Sequence, residues 1–167
     1  MKSKKIFIGE FIGSCFLVMI IVGSGIMAQN LTDDVAVMLV ANTLATGAGL
    51  FVLITSIGDI SGAHFNPVVT LAMYFTNKIK KNLIITYISA QILGCMLGVM
   101  LANFMFDLPL LQLSEKMRPG INIFTAEIIA TFGLIFVIFG SLKSGKLAVA
   151  SSLSLIHISE PTRRPKI

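Results

Sequence analysis

The residues best suited to chemistry lie together in one short segment, SGAHFNPVVT, at residues 61–70. Pro67 suits the first position of a helix, where a missing N–H costs nothing. Asn66 would then be the N-cap, beside the positive end of the helix dipole. Gly62 and Ala63 are expected to let the preceding backbone run extended and turn its carbonyl oxygens toward a lumen. Carbonyl acceptors followed by an amide donor in a positive field predict a pore lining for a neutral polar solute.

The composition predicts that the elements around this segment are membrane-spanning. The 167 residues are 55% hydrophobic and 13% charged, with a mean hydropathy of +0.89, whereas soluble domains are about 25% charged. The apolar residues come in long blocks, which indicates an integral membrane protein. Lys and Arg flank these blocks and do not form a basic stripe, so the net charge of +5 does not predict a nucleic-acid partner.

Four apolar blocks are long enough to cross the ~30 Å hydrocarbon layer as helices. Helices are expected because backbone groups in lipid must be satisfied within the segment. Three lysines precede the first block and predict a cytoplasmic N-terminus in a multi-pass protein of the plasma membrane. The predicted spans are residues 6–28, 35–57, 83–106 and 123–142.

Residues 58–77, which contain the polar segment, are predicted to enter the membrane and leave it on the same side. The helical part after Pro67 has about ten residues, or ~15 Å at the helical rise, which is half a bilayer. A full crossing would place Lys78, Lys80 and Lys81 outside the cell, against the usual distribution of charge. Irregular backbone at membrane depth must be buried in protein or line a watery cavity.

The first and fourth spans resemble each other. GEFIGSCFLVMIIVGS from Gly9 aligns with AEIIATFGLIFVIFGS from Ala126, which pairs Glu10 with Glu127. Three spans separate the two copies, so the second copy would enter from the opposite side as an inverted repeat. A charged group inside a membrane costs roughly 2.5–3.5 kcal/mol on insertion scales. Each glutamate is therefore a candidate for accepting hydrogen bonds from re-entrant backbone, with a proton relay as the alternative.

The segment SGAHFNPVVTLA closely resembles the first signature loop of the aquaporin, or major intrinsic protein, family, whose usual form is SGAHxNPAVT. GLFVLITSIGDI before it, the glutamate of the first span and AQILGCMLG in the third also fit. The resemblance covers residues 1–150, which we expect to form one aquaporin-like domain. Val68 stands where the family usually has Ala, and a modest change in packing is expected. The resemblance implies six tilted helices and two half-helices, with a separate pore in each subunit of a homotetramer.

The resemblance also implies roles for individual residues. Asn66 would donate to passing water, and backbone carbonyls of residues 62–64 would line the cytoplasmic half of the pore. A selectivity residue is expected twenty positions before Asn66, at Thr46. Water-selective members tend to carry an aromatic there, so Thr46 implies a wider pore that passes glycerol, urea or neutral metalloid hydroxides as well as water. The expected pore or solute-binding residues are Thr46, Gly62, Ala63, His64, Asn66, Pro67 and Val68, and the expected loop supports are Glu10 and Glu127.

Other functions remain open at the level of the sequence. An ion-coupled secondary transporter also uses inverted repeats and broken helices, and Glu10 and Glu127 are the acids within the predicted spans that coupling would need. A structural membrane protein or a non-conducting fragment of a channel is a further alternative. The chain has no nucleophile–base pair, metal-ligand spacing or phosphate-binding glycine loop, so no enzyme, cofactor or metal site is expected.

The end of the chain departs from the apolar pattern. LAVASSLSL after Lys146 begins a plausible span, but IHISEPTRRPKI follows it. We expect residues 151–167 to be a non-native tail, similar to translated adapter sequence. A second Asn-Pro motif and a filter Arg, which the family resemblance implies, do not occur in the 167 residues. The chain by itself is therefore expected to conduct poorly.

Overall fold

The chain has an all-α fold, given by a computed structural model that describes residues 2–112 and 120–142. No residue of those two ranges lies in a strand, which confirms the predicted class. Residues 143–167, including the tail expected at 151–167, lie outside the described part. The helices are α1 (Lys2–Leu31), α2 (Val35–Ser61), α3 (Pro67–Phe75), α4 (Ile84–Met105) and α5 (Ile121–Leu142), with a single 3-10 turn, Lys81–Leu83, before α4.

Four of these helices, α1, α2, α4 and α5, are long and apolar enough to cross a membrane. They match the four predicted spans to within four residues at every end. The largest differences are at α1 and α2, which extend beyond their apolar blocks. The length of an apolar block is set by the thickness of the bilayer, whereas the length of a helix depends on where its backbone is capped. Asp34 provides such a cap for α2, because its carboxylate accepts from the backbone N–H groups of Ala36 and Val37 at 2.8 and 3.3 Å.

The packing of α1 fixes the directions of its two neighbours. Gly9 lies against Ser61 and Gly25 lies against Asn42, so α1 and α2 are antiparallel. The Ser3 and Thr86 hydroxyls are 3.3 Å apart, and Gly98 lies against the Cys15 carbonyl. Both of these pairs are 83 positions apart in the chain, so α1 and α4 run parallel in a constant register.

These directions leave α3 no room to cross. The end of α2 returns to the half of α1 that contains Gly9, and α4 starts beside Ser3. The segment between α2 and α4 therefore begins and ends in the same half of the bundle. With nine residues, α3 is about 14 Å long, half the thickness of a bilayer. A short helix in this position is what the predicted re-entrant segment requires, and re-entry into the membrane stays a prediction.

Close contact between α1 and α4 depends on two glycines one turn apart. A Cβ atom at Gly94 would collide with the Phe11 carbonyl oxygen, and one at Gly98 would collide with the Cys15 carbonyl oxygen. Small residues at four-residue spacing allow helix backbones to approach in this way. The half-helix packs on α5 through Val69 and Met73, which form a buried cluster with Ile138. This bundle surrounds the polar segment on several sides.

Candidate functional site

A cavity of about 270 Å³ lies between α1, α2, α5 and the re-entrant segment. Its walls are mainly aliphatic, and its polar surface comes from α2 and from the loop between α2 and α3. No Asp, Glu, Lys or Arg of the described ranges lines it. The predicted site residues that line the cavity are Thr46, Gly62, Ala63, His64 and Asn66, whereas Pro67 and Val68 do not.

The loop of residues 62–66 has an unusual backbone. Gly62, Ala63 and Phe65 have φ angles of 95°, 50° and 48°. These are left-handed conformations, so the extended run expected at Gly62 and Ala63 is wrong. Non-glycine residues in such conformations cost of order 1–3 kcal/mol each and persist only where their surroundings hold them.

Glu10 of α1 holds this loop. Its side chain is 0% exposed, and its carboxylate accepts hydrogen bonds from Ser61 Oγ (2.7 Å), His64 N (3.0 Å), Phe65 N (2.8 Å) and Gln91 Nε2 (2.8 Å). Hydrogen bonds to an ionised acceptor are roughly twice as strong as neutral ones. The carboxylate therefore offsets the backbone strain at Phe65 by binding the backbone N–H groups of two consecutive residues, His64 and Phe65.

Glu127 does not support this loop in the described residues, and its expected role at re-entrant backbone stays a prediction. It is exposed on α5, and none of the hydrogen bonds within residues 2–112 and 120–142 joins it to the loop. The sequence alignment with Glu10 placed Glu127 at the same point along a helix. A shared position does not supply the N–H donors, which at Glu10 come from the loop and α4.

The His64 ring is fixed by its neighbours. His64 Nδ1 is 3.1 Å from Thr70 Oγ1, and Gln91 Nε2 donates to the same hydroxyl at 3.1 Å. The ring also stacks on Tyr87 with centroids 4.4 Å apart, and the Tyr87 hydroxyl donates to the Ser61 carbonyl. This network ties α3 and α4 to the loop.

Asn66 caps α3 and also lines the cavity. Its Oδ1 accepts from the backbone N–H of Val68 at 2.8 Å, and Pro67 occupies the first helical turn as expected. In the described part of the chain Nδ2 has no protein acceptor. The amide can therefore donate to a molecule in the cavity, at the positive end of the half-helix dipole.

Thr46 is oriented by a residue that the sequence did not single out as part of the site. Asn42 Nδ2 donates to the Ile21 carbonyl of α1 at 3.1 Å, which leaves its Oδ1 to accept from Thr46 Oγ1 at 3.3 Å. Both side chains are buried. Since the only hydroxyl proton of Thr46 is used, its lone pairs are what it offers to the cavity.

The family follows from the sequence match as well as from this geometry. Residues 1–160 match the profile of the family described as major intrinsic protein. The chain belongs to the major intrinsic protein family. The resemblance seen in the segment around Asn66 is thus confirmed.

Two curated members of the major intrinsic protein family illustrate the similarity. Aquaglyceroporin AqpS of Rhizobium meliloti (strain 1021) is 44% identical over 142 residues, which are 85% of this chain and 61% of AqpS. Aquaporin NIP3-1 of Arabidopsis thaliana is 36% identical over 140 residues, 78% of this chain and 43% of that protein. The chain thus spans less than two thirds of the length of these relatives.

A solved structure supports the fold of the major intrinsic protein family. The X-ray structure of the aquaglyceroporin from Plasmodium falciparum superposes with a TM-score of 0.80 and covers 95% of this chain and 72% of that one. The sequences are 24% identical, so the likeness concerns the fold alone.

The family motif identified the loop but not all of the residues that hold it. Thr70 lies inside the quoted motif, yet its link between the loop and α4 needs the three-dimensional contact with Gln91. Tyr87 and Gln91 are polar residues four positions apart in an apolar helix, a spacing that places them on one face. That spacing is a signal from which their shared role could have been inferred.

Proposed function

We propose that this chain forms part of a passive membrane channel for water and small neutral polar solutes. The observation that carries the proposal is the cavity itself, in which the Asn66 amide and the N-terminus of α3 face otherwise aliphatic walls. An amide donor in a positive field favours an uncharged hydrogen-bonding molecule over a cation. Enzymatic activity is not part of the proposal.

The surroundings of Glu10 favour a channel over ion-coupled transport. In the secondary-transporter alternative, coupling requires an acid that meets the solute path. Glu10 is engaged by four donors and does not line the cavity. Glu127 does not line it either. The described cavity walls therefore offer no acid to couple a proton or a sodium ion.

The solute class that we propose includes glycerol, urea and neutral metalloid hydroxides in addition to water. Thr46 is smaller than an aromatic residue and offers acceptor lone pairs next to aliphatic side chains of α1 and α2. A polyol or an amide presents O–H or N–H donors to Thr46 and acceptors to Asn66. The name of AqpS, an aquaglyceroporin, is in keeping with this class.

The proposed setting is the plasma membrane, with the N-terminus in the cytoplasm and a homotetramer as the assembly. Lys2, Lys4 and Lys5 precede or begin the first span, and the charge of short segments next to spans sets orientation. A tetramer is proposed from family membership. Chemical cross-linking of the protein in membranes would test it.

The test of the channel is stopped-flow light scattering on proteoliposomes. We would compare the chain alone with the chain joined to the part of AqpS beyond the matched residues, using protein-free liposomes as the baseline. The joined protein should speed osmotic shrinkage in sucrose and reswelling in glycerol, without dependence on proton or sodium gradients. Accumulation of solute against its gradient, driven by either ion, would overturn the channel in favour of a secondary transporter.

A further inference from the structure

A second cleft, of about 380 Å³, opens between the beginnings of α1 and α4. It shares no lining residue with the solute cavity. Its polar wall consists of Ser3, Lys4, Thr86 and Ser89, and its apolar wall consists of Phe7, Ile8 and Ile85. The proposed channel activity uses none of these residues.

The polar wall offers hydrogen-bond donors and a positive charge. The Ser3 and Thr86 hydroxyls are 3.3 Å apart, so one donates to the other. The hydroxyl that accepts keeps its own proton for a ligand. Lys4 is exposed and forms no ion pair with the described residues. An ammonium and a free hydroxyl proton side by side are a site for a phosphate oxygen.

Part of the apolar wall, Phe7 and Ile8, lies further into the bundle than Lys4 and the pair of hydroxyls. Ile8 follows Lys4 by four residues, so it lies about 6 Å further along α1. Ile8 is 56% exposed, which leaves an apolar surface below the charge of Lys4. Ile85, which is 79% exposed, lies level with Lys2 at the outer edge of the cleft. A phospholipid has the same order of groups, because its phosphate lies at the interface and its acyl chains lie below.

The charge of this end of the bundle favours an anionic lipid. Because α3 does not cross, the lysines before α1 and those after α3 lie at one end. That end has six lysines and one aspartate on or next to the described helices, namely Lys2, Lys4, Lys5, Lys78, Lys80, Lys81 and Asp59. Basic pockets between transmembrane helices bind anionic headgroups.

We propose that the cleft binds one anionic glycerophospholipid. The phosphate contacts Lys4 and the hydroxyl pair of Ser3 and Thr86, and an acyl chain lies along Phe7 and Ile8. The other lysines raise the local concentration of anionic lipid, and Lys4 selects the bound one. This site is independent of the proposed solute path.

Native mass spectrometry of the whole chain tests the proposal. The chain would be purified in detergent with equal amounts of phosphatidylglycerol and phosphatidylcholine, and the lipid retained would be counted. We expect one phosphatidylglycerol per chain, in preference to phosphatidylcholine. Lys4→Gln should reduce its retention about fivefold, since one lysine near an anionic surface has an effect of that size. Lys4→Arg should retain the lipid.

Lys78→Gln is the matched control. It removes the same charge from the same end of the bundle but outside the cleft, so we expect less than a twofold change. Thr86→Val supplies a second variant that leaves the charge unaltered and should also weaken retention. Equal effects of Lys4→Gln and Lys78→Gln would overturn the site, because the attraction would then be general. Displacement of the lipid by millimolar inorganic phosphate would also overturn the site. A dimer of the chain without bound lipid would overturn it as well.

Discussion

Glu10 joins α1 to the loop and to α4 through a single carboxylate. Its carboxylate oxygens accept hydrogen bonds from the Ser61 hydroxyl, two backbone N–H groups and the Gln91 side-chain amide. A buried charge is stable when every lone pair has a donor. The charge of Glu10 is thus a structural device that holds the left-handed backbone at Phe65.

Glu10→Gln should destabilise the chain, because one oxygen acceptor becomes an amino donor that faces other donors. Hydrogen bonds to charged groups contribute about 1.5–3 kcal/mol each, so we expect a loss of about 3 kcal/mol in the free energy of unfolding. Thermal unfolding in detergent, followed by circular dichroism, measures it. Glu127→Gln is the control and should change stability by less than about 0.5 kcal/mol. Equal losses for both variants would contradict the role assigned to Glu10.

Asn42 and Thr46 determine which polar groups α2 presents to the cavity, and in the proposed channel these groups meet the solute. Thr46→Val, which keeps the shape and removes the acceptor, should lower glycerol permeability about fivefold, the effect of one lost neutral hydrogen bond of ~1 kcal/mol. Water permeability should change less, because water is small enough to use other partners. The measurement is reswelling of proteoliposomes that contain the protein joined to the remainder of AqpS.

Thr55→Val is the matched control for Thr46→Val. Thr55 lies on the same helix, is exposed and donates to the Phe51 carbonyl at 2.8 Å. Thr55→Val should leave the ratio of glycerol permeability to water permeability unchanged. A fall in that ratio for Thr55→Val, or none for Thr46→Val, would contradict the assignment.

The contact between α1 and α4 depends on how closely their backbones approach. Gly94→Ala would place a methyl group against the Phe11 carbonyl oxygen, which must move for the helix to fit. Overpacking of this kind costs typically 1–3 kcal/mol. We expect a lower melting temperature in detergent for this variant.

Gly140→Ala provides the comparison within α5. No atom lies within 4 Å of a Cβ built at Gly140, so the substitution should be neutral or stabilising by up to about 1 kcal/mol through helix propensity. Similar melting temperatures for the two alanine variants would show that the α1–α4 contact tolerates separation.

The elements were more predictable than the details of the loop. Block length and hydropathy located the spans, and Asn66 and Pro67 located the start of α3, because both signals are local. The left-handed conformation of Phe65 depends on an acceptor that Glu10 brings from 55 positions away in sequence, and the Ala63 N–H donates to Ser61 Oγ, which Glu10 also binds. Short-range propensity disfavours those conformations, so no local pattern indicated them.

The described helices and the segments next to them give the bundle two ends of different charge. Lysines occupy the end where α1 begins and α2 returns, and Asp33 and Asp34 lie between α1 and α2 at the other end. The charge asymmetry and the helix directions are separate observations, and both place the start of α1, the end of α2 and the start of α4 at the same end of the bundle. Both favour a segment between α2 and α4 that starts and finishes at the lysine end, as the predicted re-entrant arrangement requires.

Site-directed labelling tests this arrangement. In a chain with Cys15→Ala and Cys95→Ala, an impermeant maleimide should label Lys2→Cys and Lys78→Cys from the same side of the membrane. It should label Asp33→Cys from the opposite side. Labelling of Lys78→Cys together with Asp33→Cys would mean that α3 crosses the membrane. Such a result would remove the half-helix on which the proposed solute path depends.

The partners of Glu10 are also far apart in the order of synthesis. Ser61 follows it by 51 positions and Gln91 by 81. At about 5–20 residues per second, the ribosome makes Gln91 roughly 4–16 seconds after Glu10. During that interval the Glu10 carboxylate in the first span lacks some of its hydrogen-bond donors. We therefore expect the first span to remain associated with the insertion machinery until α4 has been synthesised. Insertion of the nascent chain should therefore become stable only at lengths that include Gln91.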